Sequence, residues 1–169
     1  MIHEIRAVSL DGLRQRCFIA VSQDPLLLSN ETLRFNLDPG ISVHDNVLTT
    51  ALTTAGPWSH FCDGTATHVS GATFSRFGEH PVLDRKPSLL RGLVGGAMPA
   101  VQGVCRALVK ASSLPRDSGA KAVVLLDEVA LSLDVAHRVR IHHIIDVEFT
   151  EKGLTVVVVA HRLVSPDPR

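Results

Sequence analysis

Three short, uniformly apolar runs punctuate the chain, at residues 17–21 (C-F-I-A-V), 122–126 (A-V-V-L-L) and 155–160 (T-V-V-V-V-A). Each has the length of a strand, and none alternates apolar with polar positions. That pattern predicts strands of a parallel sheet, buried on both faces. Pro25 holds Asp24 extended and removes a backbone donor, so the first strand should end before it.

Between the runs the period changes to that of a helix. Val43, Val47, Leu48, Leu52 and Ala55 recur at helical spacing, with Ser42 as the expected N-cap, Asp45 completing a capping-box variant, and Gly56-Pro57 as the exit. Residues 101–111 read as helix, and residues 112–119, with Pro115, end it. Val135, Val139, Ile144, Ile145 and Phe149 set a third helical pattern, with Asp134 near its N-cap and Gly153 at its exit. Residues 26–39 read as a loop with one short helical turn. The first 16 residues pattern weakly, with a turn at Asp11-Gly12, and residues 62–90 show no sustained period. Trp58 and Phe61 are expected beneath the helix that starts near Ser42.

Strand, helix, strand over residues 122–160 is a βαβ unit, so the expected class is α/β with a parallel sheet. A chain of 169 residues is long enough for one domain with a real core. Its formal net charge of +0 gives no electrostatic case for nucleic acid or an anionic membrane as partner. No apolar run reaches the roughly 20 residues of a membrane span, and the N-terminus is not a secretory signal. Cys17, Cys62 and Cys105 fit reduced thiols, and the nine histidines form no metal-ligand spacing.

The chemistry-bearing positions fall just past the strands. Asp127 and Glu128 end the central run, Gln23 follows the first, and His161 follows the last. In open α/β sheets that rim is where ligands bind. In nucleotide hydrolases the first acid of such a pair holds Mg²⁺ and the second polarises the attacking water. The bland alternative for each is a loop residue; their convergence on one expected rim favours the functional one.

The segments V-S-Q-D-P-L-L-L, L-R-F-N-L-D-P, C-R-A-L-V-K, V-V-L-L-D-E-V-A-L-S-L-D and V-V-V-V-A-H-R-L, in this order, resemble the nucleotide-binding domain of an ABC transporter. The likeness runs from about Leu13 to Leu163. It is greatest to the second such domain of C-subfamily, multidrug-resistance-associated transporters, fungal ones in particular. The resemblance implies a partial P-loop NTPase (RecA-like) sheet, with a helical subdomain at about 42–112 and a core at about 120–163. It implies ATP and Mg²⁺ as cofactors, Asp127 and Gln23 at the metal, Glu128 as general base and His161 as the switch histidine. Ser132 to Asp134 match the D-loop that crosses a dimer interface. The implied partners are a second nucleotide-binding domain and transmembrane domains, with no nucleic acid. The implied setting is the cytosolic face of a membrane for the full transporter, and a soluble, cytoplasmic chain when alone.

Two departures from the family follow. No G-x-x-x-x-G-K-[ST] occurs in these residues, so the backbone cradle and lysine for phosphates are missing, with the strand that would carry them, and the sheet should be left with exposed apolar edges. Where the family has Leu-Ser-x-Gly-Gln, the nearest match is Leu93-Val94-Gly95-Gly96-Ala97, without the serine hydroxyl or the glutamine amide. Pro99 and Gly103 are expected to weaken the helix after it. These departures predict a fragment without ATPase activity of its own, or an inactive binding module.

Overall fold

A computed structural model describes residues 9–22, 26–40, 42–56, 81–86, 97–114, 122–129 and 133–159. Helix α1 (Leu10–Cys17) runs directly into β1 (Phe18–Val21), and α2 (Leu33–Leu37) and α3 (Asp45–Ala55) follow. A 3₁₀ turn (Pro81–Asp84) precedes the long α4 (Ala97–Ser113) and β2 (Val123–Asp127). Helix α5 (Val135–Ile144) widens into a π-helical turn (Ile145–Thr150) before β3 (Thr155–Val159).

The sheet has the order β1-β2-β3 and is parallel throughout. Val21 lies in register with Leu126 and Leu126 with Val158, so all three strands end at one rim. Ile19, Val21, Val124 and Leu126 point to one face and are buried. Helices α3, α4 and α5 pack together over that face, in the α/β arrangement the apolar runs predict. The helix spacing supplies their inner stripes: Leu48, Ala51, Leu52 and Ala55 on α3, and Val101, Val104, Cys105 and Leu108 on α4. Each large aliphatic side chain so placed contributes about 1.5–3 kcal/mol.

Polar anchors set the loops between them. Arg34 on α2 is buried and donates to both carboxylate oxygens of Asp45, the first residue of α3, while its Nε donates to Asp84 Oδ1 at 3.1 Å. Asp38 accepts from the amides of Ser42 and Val43 and turns the chain into α3.

Several expectations are corrected here. Residues 10–17 form a helix, because the Ser9 hydroxyl accepts from the Gly12 amide and caps it. Ser42 does not cap α3: its hydroxyl bonds Asp38, and His44 takes the cap position without a side-chain bond. Gly56 does close α3, at φ 100°. Pro99 and Gly103 lie inside α4, which is 17 residues long. Pro99 sits in the first turn, where its missing N–H has no intrahelical role.

On α5 the buried positions are Ile141 and Ile144, joined by Phe149 in the π turn, while Val135 and Val139 face outward. β3, read as a buried strand, is exposed along most of its length. It is the outermost strand, paired with β2 alone among the described residues, and Val157, Val158 and Val159 leave an exposed apolar edge there. Trp58, Phe61 and Cys62 lie outside the described residues, as do residues 87–96.

Candidate functional site

Asp127 is the last residue of the central strand, exposed at the rim where β1, β2 and β3 all end. Its place follows from the run before it: Val124 and Leu126 go into the core, and the strand emerges from apolar cover at its first charged residue.

Glu128 then turns out of the sheet at φ 50°, the sole non-glycine residue with positive φ among those described. An L-residue held there costs roughly 1–2 kcal/mol, and such strain collects at functional sites. The Glu128 amide donates to Val159 O at 3.0 Å, tying the turn to β3, and Val129 beyond it is buried. The acid pair is therefore held on a stiff turn between two strand ends.

Asp134 sits after that turn and caps α5. Its Oδ1 accepts from the His137 amide at 2.9 Å and lies 2.8 Å from His137 Nδ1. The amide bond, chiefly, holds its carboxyl below the usual range. Gln23, Ser132 and His161 lie outside the described residues. The strands before Gln23 and His161 end, at Val21 and Val159, on the same rim as Asp127.

The loop after β1 is held by residues that the sequence alone did not mark. Asn36 donates from Nδ2 to Leu28 O and to Thr32 O, both at 2.9 Å, and its Oδ1 accepts from the Leu28 amide at 2.9 Å. Arg106, from α4, donates to Asn36 O and, at 2.6 Å, to Leu26 O. Burial lowers the pKa of Arg106. Arg106 lies within C-R-A-L-V-K, and its partners are 70 and 80 residues away, which no local spacing signals.

Among the described residues no three His, Cys, Asp or Glu side chains gather as metal ligands. One or two carboxylates are nonetheless what Mg²⁺ takes from protein when phosphate oxygens supply the rest of its shell. An exposed Asp127 beside Glu128 at a strand rim fits that donor set.

No family model matches the chain. It is 30% identical, over 160 residues and 95% of its length, to the ATP-binding cassette transporter abc4 of Schizosaccharomyces pombe. It spans only 10% of that relative's length. Its fold matches a solved structure of a bacterial Atm1-family ABC exporter with ATP bound, with a TM-score of 0.63 and 21% identity. That match covers 94% of this chain and 23% of the exporter chain. In sequence over nearly its whole length, and in fold, the chain is thus similar to one domain of an ABC transporter.

Proposed function

We propose that this chain is part of the nucleotide-binding domain of an ABC transporter, of the C-subfamily, multidrug-resistance-associated type and nearest the second such domain. The observation that carries the reading is Asp127-Glu128 on a strained turn at the common rim of three parallel strands. The yeast relative supports both the transporter assignment and its fungal character.

In this reading Asp127 and Gln23 hold Mg²⁺, Glu128 orients and deprotonates water, and His161 contacts the terminal phosphate. Ser132 and Asp134 belong to the segment that meets a second nucleotide-binding domain. Bound Mg²⁺ supplies charge stabilisation at the phosphates. The intact protein couples ATP hydrolysis to export across a membrane, with this domain on the cytosolic side. In the same reading its helical subdomain falls at about 42–112 and its core at about 120–163.

These 169 residues hold no G-x-x-x-x-G-K-[ST], and phosphoryl transfer rests on positioning, worth about 7–11 kcal/mol of barrier. The chain by itself is therefore proposed to bind ATP poorly and not to hydrolyse it. Purified protein should show no Mg²⁺-dependent ATPase above background and no saturable binding of fluorescent ATP at micromolar concentrations. Turnover that disappears in Glu128→Gln would overturn the inactive reading. Sequencing the transcript upstream of Met1 tests the transporter reading: an in-frame phosphate-loop motif supports it, and an in-frame stop codon in its place leaves an inactive remnant.

A further inference from the structure

The chain leaves β1 at Val21, whose place is set by its register with Leu126, and Gln23 stands two residues beyond it in sequence. At Leu26 the path is fixed again, by a side chain from another element. Backbone groups outside a ladder need partners of their own, and residues 26–38 find theirs in Asn36 and Arg106.

Asn36 on α2 is 1% exposed, and its side-chain amide serves both the amide and the carbonyl of Leu28. Its own carbonyl is among the last of α2, which intrahelical donors do not reach. Arg106 Nε donates to that carbonyl, and Nη2 donates to Leu26 O at 2.6 Å and to Asn36 Oδ1 at 3.4 Å. One guanidinium thus grips the segment where it begins and again where α2 closes it.

Arg106 is half-buried, so its donors give up water, and all three acceptors are neutral oxygens rather than carboxylates. A fork of fixed, planar donors spans Leu26 and Asn36 together, where a lysine ammonium is a single point charge on a flexible stem. The element that carries the fork is itself anchored: α4 packs against both β1 and α2.

We propose that Arg106 is a positioning residue for Gln23: it fixes the downstream end of the loop that carries the glutamine, as β1 fixes the upstream end. The place of Gln23 is thereby tied to α4. What that place is for rests on Gln23 being a Mg²⁺ ligand, as proposed; the clamp does not, and its test uses no nucleotide.

The test is the mobility of a nitroxide attached through Gln23→Cys in a Cys17→Ser, Cys62→Ser background, where the enclosed Cys105 stays unlabelled. Electron paramagnetic resonance should show a restricted label while Arg106 is in place. Arg106→Gln should abolish the restriction, and Arg106→Lys should not restore it fully. Amide exchange over residues 26–38 should rise about tenfold or more in Arg106→Gln, as expected for a lost hydrogen bond to a charged group, and exchange in β2 should change less. Val109→Ala, a buried site on the same helix, is the control: it lowers the urea midpoint and should leave the label restricted. If circular dichroism shows Arg106→Gln to be unfolded, Arg106→Lys carries the comparison. A label already free in the parent, one indifferent to both Arg106 variants, or full recovery with lysine would overturn the proposal. So would equal loosening by Val109→Ala, which would make Arg106 an ordinary stabilising contact.

Discussion

Arg34 and Asp45 form a two-pronged ion pair, with Nη2 to Oδ2 at 3.0 Å, and both residues are buried. The bond to Asp45, first, and that to Asp84 raise the pKa of Arg34 against the opposing effect of burial. Removing one partner leaves the other charge buried and unmatched, which costs about 3–5 kcal/mol. Asp45→Ala should therefore lower unfolding free energy by about that much in urea titration. Replacing both residues together, as Arg34→Met with Asp45→Leu, should cost less than the single change.

Gln102 on α4 is buried, and both its amide nitrogen and its amide oxygen lack a hydrogen-bond partner among the described residues. A buried unmatched polar group costs about 1–3 kcal/mol. Gln102→Leu or Gln102→Met should raise the urea midpoint without altering the slope. A lower midpoint would show that the amide has a role that packing does not replace.

Cys105 is fully enclosed, its sulfur 3.8 Å from Ala51 O, and burial pushes its thiol from 9.0 up to about 12. Cys17 is partly exposed. In a Cys62→Ser background one thiol, that of Cys17, should react with Ellman's reagent in folded protein, and the second only on unfolding. The sign of the pH effect follows from the same shift. Between pH 9.0 and about 12 the unfolded chain loses this proton and the folded chain keeps it, so stability falls as pH rises through that window. Cys105→Ala should flatten that alkaline decline, as followed by thermal melts.

Asp134 holds its charge through the His137 amide, which depresses its pKa. A depressed carboxyl contributes stability that is present above its unfolded value and lost as pH falls through the folded one. Asp134→Asn keeps a capping oxygen and removes the charge. The variant should melt below wild type at neutral pH and converge with it on acidification, so its acid decline is shallower, whereas Asp134→Ala should melt lower at both.

The three strands and the acid pair were legible because a buried parallel strand writes itself as an unbroken apolar run, and its first charge marks the rim. α3 and α4 were legible from their spacing. Helix α1 was not: its eight residues are largely polar, and its start depends on one hydroxyl, that of Ser9. The exposure of β3 was hidden for another reason. Four successive valines look the same whether a neighbour covers them or not, and only the order of strands decides. Asp45 misled as a capping acid because its true partner, Arg34, is eleven residues away and on another helix. The Glu128 turn has no signature at all, since nothing in the residue type favours positive φ.

Gly56 ends α3 at φ 100°, and a Cβ there would lie 2.9 Å from the guanidinium carbon of Arg140. That guanidinium reaches Thr53 O and Thr54 O, the last carbonyls of a helix whose negative end favours a cation. The absent methyl thus lets a side chain from the helix after the acid pair act as the clasp for one formed before it. Residues 45–56 and the helix that follows Asp127 are thereby pinned to each other at that end by two bonds from one guanidinium.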